Sequence, residues 1–285
     1  MSGLVSTEAP ILTGLIEQGY TVLAVVSHHT ESQSRKQRPL EVAAIAEKHG
    51  IPVLLPNKPD DIYDQLAAFD ADVAVLSAYG RIVSQKVIDL FPLGIVNIHP
   101  SLLPKYRGPT PIESAIANGD TEAGVSIMSL EAGMDSGPVY GQTTVALNGT
   151  ETKFDLYETL SAAGARLFFD LFPSILSEES QAQPQVGEPL YCQLLSKEDA
   201  FIDPTALTAQ EIEQRIRAYL VFPKTKMTIA GHLVIITAAQ VVDSVESILD
   251  IVCKDNSVLR LTQLVSPTSG RPISGKDFLN GYAAD

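Results

Sequence analysis

Short apolar runs alternate with amphipathic helical stretches throughout the first half of the chain. Thr21–Ser27, for example, is apolar and β-branched over almost its whole length, as in strands that are buried on both faces of a parallel sheet. Helical stretches with polar starts and glycine stops separate these runs, and such alternation produces βαβ units. The first half therefore predicts an α/β fold with a Rossmann-like, doubly wound, mostly parallel sheet.

The start of the chain departs from this pattern. A doubly wound sheet normally begins with a strand, yet Ser6–Pro10 already has the composition of a helix start. Met1–Val5 is the only stretch before it and is short for a strand. We therefore expect the first strand of the sheet to be missing or truncated, which would leave two neighbouring strands with exposed edges.

The second half of the chain has a different organisation. A polar segment rich in Gln, Pro and Gly, residues 177–189, follows the long amphipathic helix predicted at 153–176. Beyond it, one helix opens with a capping box formed by Thr208 and Glu211. Several short strands with turns between them then predict a small C-terminal β-barrel of the OB type. The sequence thus divides into domain 1–176, a linker at 177–189 and domain 190–285.

Charge and cysteine content restrict the function. The chain of 285 residues has 20 basic and 34 acidic residues, a net charge of -14, so a general nucleic-acid coat is excluded. The excess acid is uneven, at -12 for residues 1–189 and -2 for residues 190–285. Cys192 and Cys253 cannot form a disulfide scaffold. With no apolar run of about 18 residues and no secretory signal, we expect a cytoplasmic protein.

A carboxamide and an imidazole lie close together at the end of a predicted strand. Asn97 and His99 are two residues apart, so their side chains point to the same side of the sheet, and Pro100 ends the ladder of hydrogen bonds. At the carboxyl end of a parallel strand, this pair suits the stabilisation of a developing oxyanion. The alternative is a turn-capping Asn97 and a core His99.

A glycine-rich segment between the next two predicted strands contains an acid. Asp135 lies between Gly133 and Gly137, in a loop that can approach the end of the sheet closely. A carboxylate beside an imidazole favours the protonated ring and fixes its tautomer. The alternative is an ordinary turn residue.

These motifs together resemble the 10-formyltetrahydrofolate-dependent formyltransferase family. The resemblance rests on Asn97-x-His99, Ser101-Leu102-Leu103-Pro104-x-Tyr106-Arg107-Gly108 and Gly133-x-Asp135-x-Gly137. In the second half, Leu195-Ser196-Lys197-Glu198-Asp199-Ala200 and Arg215-Ile216-Arg217-Ala218 are similar to the C-terminal domain of the branch that acts on methionyl-tRNA.

The resemblance implies a reaction and a catalytic set of Asn97, His99 and Asp135. The α-amine of initiator methionyl-tRNA would attack the formyl carbon of 10-formyltetrahydrofolate, and no metal would be needed. Asn97 and a protonated His99 would stabilise the oxyanion. Asp135 would keep His99 charged and help to take the proton from the amine, directly or through water.

The resemblance also implies binding residues for both substrates and a monomeric enzyme. The folate contacts fall on Tyr79, Gly80, Arg81, Ile82, Val83, Ser101, Leu102, Leu103 and Pro104. The tRNA candidates are Arg35, Lys36 and Arg38, in the loop that enters the acceptor end of tRNA in the family. Lys105 and Arg107 beside the site are further tRNA candidates, with the glutamate tail of the folate as the alternative ligand. In the C-terminal domain, the candidate phosphate contacts are Arg215, Arg217, Lys224 and Lys226.

Three other functions remain open from the sequence. The nearest is formyl transfer to a small amine, such as glycinamide ribonucleotide or an amino sugar, which would leave residues 195–285 without a role. A non-catalytic tRNA-binding homologue is less consistent with an intact Asn97, His99 and Asp135. A dinucleotide-dependent dehydrogenase is suggested only by the topology, because no Gly-x-Gly-x-x-Gly follows a strand.

Overall fold

A computed structural model of the chain describes residues 2–6, 9–27, 41–77, 79–80 and 82–282. Its Cα positions separate into two units. The first unit consists of Met1–Pro109, Gly124–Val145 and Thr159–Tyr191, and the second of Thr110–Ala123, Ala146–Glu158 and Cys192–Asp285. None of the helices within the described ranges is long and apolar enough to cross a membrane.

From residue 2 to residue 176, strands and helices alternate except for two successive strands before the last helix, as the sequence predicts. The strands are β1 (Ser2–Ser6), β2 (Thr21–Val26), β3 (Val53–Leu54), β4 (Val73–Ser77), β5 (Ile95–His99), β6 (Glu122–Ser129) and β7 (Val139–Ala146). The helices are α1 (Ala9–Glu17), α2 (Glu41–Lys48), α3 (Tyr63–Ala68), α4 (Gln85–Ile88), α5 (Pro111–Ala117) and α6 (Lys153–Leu176), with a 3-10 turn at Pro59–Ile62.

The seven strands form one sheet in the order β3-β2-β1-β4-β5-β6-β7. The strands from β3 to β5 pair in parallel, and β6 joins β5 antiparallel. The order reverses between β1 and β4, which is the topological switch point of a doubly wound sheet. The predicted Rossmann-like, mostly parallel fold is confirmed.

The expectation that the first strand is missing is wrong. Ser2–Ser6 forms β1, which lies between β2 and β4 and pairs in parallel with both. Five residues suffice because a central strand has hydrogen-bonding partners on both sides. The edges of β2 and β4 that we expected to be exposed are therefore covered.

Helix α6 packs against one face of the sheet and thereby sets which side chains face the other. A Cβ at Gly164 would lie 3.1 Å from a Val125 methyl carbon and 3.3 Å from a methyl carbon of Ile98, so the helix approaches β5 and β6 closely here. Side chains alternate along a strand. Because Ile98 faces α6, its neighbours Asn97 and His99 face away from that helix.

The second unit has an antiparallel sheet of its own. Its elements are α7 (Ala209–Ala218), β8 (Lys226–Ile229), β9 (His232–Val242), β10 (Asp250–Val252), β11 (Val258–Val265), β12 (Pro272–Ser274) and α8 (Gly275–Tyr282). The strand order is β10-β11-β9-β8, with β12 also paired to β11. This curled half-barrel corresponds to the small C-terminal barrel that the sequence predicts.

The start of α7 confirms the predicted capping box. The backbone amide of Glu211 donates to Thr208 Oγ1 at 3.2 Å, and the amide of Thr208 donates to Glu211 Oε2 at 2.7 Å. Ile212 and Ile216 on the same helix are almost fully buried against the sheet of this unit, together with Phe278 of α8. The amphipathic face of α7 thus closes the core of the second unit.

One buried acid organises the turn before β10. Asp250 accepts hydrogen bonds from the Arg260 side chain at 2.7 and 2.9 Å, and from the backbone amides of Glu246 and Ser247. The bonds from Arg260, together with those amides, lower the pKa of Asp250 from its ordinary value to about 2. The carboxylate therefore stays charged and joins β10 to β11.

Replacing Asp250 with Asn should destabilise the second unit. We expect its free energy of unfolding at neutral pH to fall by about 1.5–3 kcal/mol, the range for hydrogen bonds to charged groups. Because the pKa is lowered in the folded state, the stabilisation is complete above about pH 4 and is lost as the pH falls toward about 2. The difference in the free energy of unfolding between wild type and Asp250→Asn should therefore become smaller as the pH falls.

Urea unfolding at a series of pH values measures this difference. The exposed Asp243 provides the control, because Asp243→Asn makes the same chemical change without buried partners. A loss of stability in Asp250→Asn that does not change between neutral and acidic pH would contradict the assignment.

Candidate active site

The candidate site lies at the carboxyl end of the central strands. β4 and β5 are parallel neighbours, with Ser77 opposite Ile98, so the loops that follow both strands leave from the same edge of the sheet. Asn97 and His99 are each only 5% exposed at the end of β5. The pair that the sequence singles out is thus buried where open α/β sheets bind ligands.

His99 is oriented by a backbone carbonyl. Its Nε2 lies 3.0 Å from the carbonyl oxygen of Tyr106. A carbonyl oxygen can only accept a hydrogen bond, so Nε2 carries a proton and donates it. Tyr106 is buried and has a φ of 58°, a left-handed conformation that costs a non-glycine residue on the order of 1 kcal/mol. Such strained residues cluster at functional sites.

Asp135 faces the other nitrogen of the same ring. Its Oδ2 lies 3.7 Å from His99 Nδ1, an ion-pair separation that is longer than a hydrogen bond. The same oxygen accepts a hydrogen bond from the backbone amide of Gly108 at 2.8 Å. The structure therefore brings together two residues that are 36 positions apart in the sequence, as predicted.

The loop that carries Asp135 depends on close backbone contacts. Asp135 itself has a φ of 46°, again in the left-handed region. A Cβ at Gly137 would lie 2.0 Å from the carbonyl oxygen of Ser129, so only glycine fits there. At Gly133 the obstacle is the Ser136 hydroxyl, at 2.2 Å from a Cβ, and this side chain can rotate away.

A segment that we predicted to be a linker forms backbone hydrogen bonds with the start of β7 and with the loop that follows His99. We call Gln183–Tyr191 the strap. Gln183 exchanges two backbone hydrogen bonds with Val139, and the Leu190 amide donates to the carbonyl oxygen of Pro104. The Arg107 amide donates in turn to the carbonyl oxygen of Leu190. At this end, the predicted linker is attached to the first unit rather than free of it.

A cluster of polar side chains around the buried Ser126 fixes the candidate folate segment 101–104. Ser126 Oγ donates to the carbonyl oxygen of Ser101 and accepts from the amide of Leu103. Gln142 Nε2 donates to Ser126 Oγ and to the carbonyl oxygen of Leu103. Sequence analysis missed Ser126 and Gln142, because single polar residues within predicted strands give no indication of which loop they contact.

The other candidate folate residues follow β4. Tyr79 and Val83 are buried, whereas Ile82 is 82% exposed. Gly80 has a φ of 65°, and a Cβ added to it would have no other atom within 4 Å, so open space lies beside its backbone. Arg81 lies outside the described residues.

The candidate tRNA residues are only partly described. Arg35, Lys36 and Arg38 lie outside the described residues. The Lys105 ammonium lies 5.0 Å from the centre of the Tyr106 ring. The Arg107 guanidinium donates to Gln185 Oε1 through Nε at 3.0 Å and through Nη2 at 2.7 Å.

The basic candidates of the second unit differ in their surroundings. Arg217 donates to Glu213 Oε1 and to the carbonyl oxygen of Glu151, so its guanidinium is bound within the unit. The Lys226 ammonium lies 5.5 Å from the ring centre of the exposed Phe201. In the part of the chain that the structure describes, no group of His, Cys, Asp and Glu is arranged to hold a metal ion.

Comparison with known proteins gives the same assignment over nearly the whole chain. Residues 1–171 match the formyl transferase family, and residues 194–283 match the C-terminal domain of formyl transferases. The chain belongs to the formyl transferase family. Its similarity to curated family members extends across both matched regions.

Two relatives named methionyl-tRNA formyltransferase illustrate this similarity. The protein of Chloroflexus aggregans is 37% identical, and the alignment covers 96% of this chain and 93% of the relative. The protein of Lactobacillus delbrueckii subsp. bulgaricus is 34% identical, with 96% and 91% covered.

Solved structures support the fold. HypX from Aquifex aeolicus, crystallised in complex with tetrahydrofolic acid, superposes with a TM-score of 0.67 at 14% sequence identity. The superposition covers 99% of this formyl transferase chain and 47% of HypX.

Gly137→Ala should disturb the Asp135 loop much more than Gly133→Ala does. At Gly137 the added methyl group meets backbone, so the loop must move, whereas at Gly133 it meets a rotatable hydroxyl. We expect faster hydrogen–deuterium exchange over residues 133–139 in Gly137→Ala and nearly unchanged exchange in Gly133→Ala. Equal exchange in the two variants would show that the close approach to Ser129 does not fix the loop.

Proposed function

We propose that this formyl transferase moves the formyl group of 10-formyltetrahydrofolate to the α-amine of initiator methionyl-tRNA, as part of translation initiation. The observation that carries the proposal is the arrangement of His99 between the Tyr106 carbonyl and Asp135, on the strand that also bears the buried Asn97. The similarity to methionyl-tRNA formyltransferases over 96% of the chain favours this acceptor over a small amine.

The two nitrogens of His99 have different roles in this proposal. Nε2 is occupied by the Tyr106 carbonyl, so it holds the ring in place. Nδ1 faces the Asp135 carboxylate at 3.7 Å. When Nδ1 is protonated, the ring and the Asn97 carboxamide provide positive charge and a hydrogen-bond donor for an oxyanion at the reacting carbonyl.

Asp135 is the proton acceptor of the site. The Gly108 amide holds Oδ2 at 2.8 Å, and the 3.7 Å gap to Nδ1 prevents a tight hydrogen bond between the two residues. An amine or a water molecule that bonds to this carboxylate can pass on its proton as the new N–C bond forms. The attacking nitrogen thus loses a proton to Asp135, and this proton would pass to the folate nitrogen as its bond to the formyl carbon breaks and tetrahydrofolate leaves.

The residues after β4 and β5 are suited to a flat folate ring. The backbone of Gly80 has open space beside it, and the exposed Ile82 side chain offers an apolar surface. Ser126 and Gln142 fix the 101–104 segment, which follows the neighbouring strand β5. When bound, the cosubstrate supplies the activated formyl group. We assign its contacts to Tyr79–Val83 and Ser101–Pro104.

We assign the catalytic and folate-binding domain to residues 1–176, the linker to 177–189 and a tRNA-binding domain to 190–285. The charge distribution supports this division, since the last domain is close to neutral. In the first domain, tRNA contacts are assigned to Arg35, Lys36, Arg38, Lys105 and Arg107, in a protein that acts as a cytoplasmic monomer.

Asn97→Ala and Asp135→Asn should each abolish most of the turnover while leaving folding nearly intact. Loss of the oxyanion donor Asn97 raises the barrier by about 3–4 kcal/mol, a rate loss of roughly a hundred- to a thousandfold. Loss of the proton acceptor in Asp135→Asn should cost roughly a hundred- to ten-thousandfold. Initial rates of methionyl-tRNA formylation measure this, with the exposed Asp170→Asn as a control for the charge change in Asp135→Asn. Near-normal rates in both site variants would refute the assignment of the site.

The identity of the formyl acceptor is tested by comparing candidate acceptors in separate reactions. Wild-type protein is incubated with 10-formyltetrahydrofolate and either methionyl-tRNA, glycinamide ribonucleotide or an amino sugar nucleotide. We expect formyl transfer only to methionyl-tRNA. Preferential transfer to a small amine would contradict the proposed acceptor but would leave the assignment of the catalytic residues unchanged.

Binding of tRNA should weaken steeply with salt if several phosphates are neutralised. The slope of the logarithm of the association constant against the logarithm of the salt concentration should be clearly negative. Its magnitude should decrease by about one unit for each basic contact that is removed. Filter binding at several salt concentrations compares wild type with an Arg35, Lys36 and Arg38 triple alanine variant.

The control variant for this titration replaces Lys48, Lys58 and Arg166 with alanine. These exposed residues of the first unit give the same change in net charge. A slope near zero for wild type, or equal slopes for both triple variants, would contradict tRNA binding through residues 35–38.

A further inference from the structure

The side chain of Gln185 connects two loops of the candidate site. Its Nε2 donates to the carbonyl oxygens of Asp135 and Gly137, both at 2.8 Å. Its Oε1 accepts from Nε and Nη2 of Arg107, at 3.0 and 2.7 Å. Both ends of one carboxamide are therefore used, one on the loop of the acid and the other on the loop that follows His99.

The geometry of these bonds makes Gln185 sensitive to replacement. Both hydrogens of Nε2 are directed at backbone carbonyls on either side of Ser136, so the turn between Asp135 and Gly137 is held at two points. Asp135 has a left-handed φ, a conformation that persists only where its surroundings hold it. No other residue type can donate twice here and also accept twice from Arg107.

The strap brings Gln185 to this position by its own backbone pairing. Gln183 pairs with Val139, just beyond the Asp135 loop, and Leu190 bonds to the backbone of Pro104 and Arg107. Gln185 lies between these two attachments. Its position is thus fixed at both ends, by hydrogen bonds to the start of β7 next to the Asp135 loop and to the loop that follows His99.

We propose that Gln185 is a positioning residue that holds the Asp135 carboxylate at its working distance from His99, by fixing the Asp135–Gly137 backbone against Arg107. This inference rests on the proposed function of Asp135 as the proton acceptor. Gln185 touches neither substrate in this assignment, so its effect on kcat passes through Asp135, whereas release of the Arg107 guanidinium would change KM for methionyl-tRNA.

Two replacements separate the halves of the contact. Gln185→Met removes all four hydrogen bonds at similar side-chain length. Gln185→Glu removes the two donors to the Asp135 loop but keeps an acceptor for Arg107. Since a displacement of about 1 Å can cost roughly a hundredfold in rate, we expect kcat to fall about ten- to a hundredfold in both, with KM for the folate within about twofold. A normal kcat in Gln185→Glu would overturn the proposal.

A double-mutant cycle distinguishes positioning from a general loss of structure. If Gln185 acts through Asp135, then Gln185→Met should cause less than about a twofold further loss in an Asp135→Asn background. Losses that multiply would overturn the proposal. Gln183→Ala is the matched control in the strap, because Gln183 pairs with Val139 through its backbone and this variant should keep wild-type kcat.

A second measurement does not depend on activity. The imidazole signals of His99, one of 5 histidines in the chain, report on its neighbour in ¹H–¹³C NMR spectra of the full chain. Asp135→Asn and Gln185→Met should both shift these signals, and Gln183→Ala should not. If the wild type transfers no formyl group yet these shifts occur, the proposed function fails and the positioning role stands. Unshifted His99 signals in Gln185→Met would overturn the positioning role.

Discussion

The arrangement of the site depends on one hydrogen bond from an imidazole to a backbone carbonyl. The carbonyl oxygen of Tyr106 can only accept a hydrogen bond, so Nε2 of His99 carries a proton. The other ring nitrogen, Nδ1, faces Asp135. The bond also accounts for the conformation of Tyr106, whose left-handed φ turns its carbonyl toward the ring. Burial of the tyrosine side chain offsets the backbone strain. A single contact thus fixes the tautomer, the ring orientation and the face that is open to chemistry.

The sheet supplies this histidine with two different surroundings. Alternation along β5 places Ile98 against α6, where Gly164 allows close packing, and places Asn97 and His99 on the opposite face. The antiparallel pairing of β6 with β5 then brings Ser126 opposite His99 and close to the 101–104 segment. Apolar packing against α6 on one face thus leaves the other face for the polar groups of the site.

The sequence was most informative where structure is local. The bounds of α6 follow from its amphipathic pattern, and the capping box of α7 follows from two residues three positions apart. Strand β1 was mispredicted because its stability comes from two partners far along the chain, not from its own length. The pairing of His99 with Asp135 was one of two interpretations of the local pattern, and the resemblance of whole motifs to a family favoured it.

The contacts of Gln185 show what no local pattern could have revealed. Gln185 and Arg107 are 78 residues apart in the sequence. The polar segment around Gln185, with Pro and Gly on either side, has the composition of a linker. From the sequence, Arg107 is a candidate phosphate contact. In the structure, two nitrogens of its planar guanidinium donate to Gln185 Oε1. A lysine could not make this paired contact, because its ammonium is a point charge without a fork. The identity of residue 107 is therefore constrained by the strap, whether or not the residue also meets an anionic ligand.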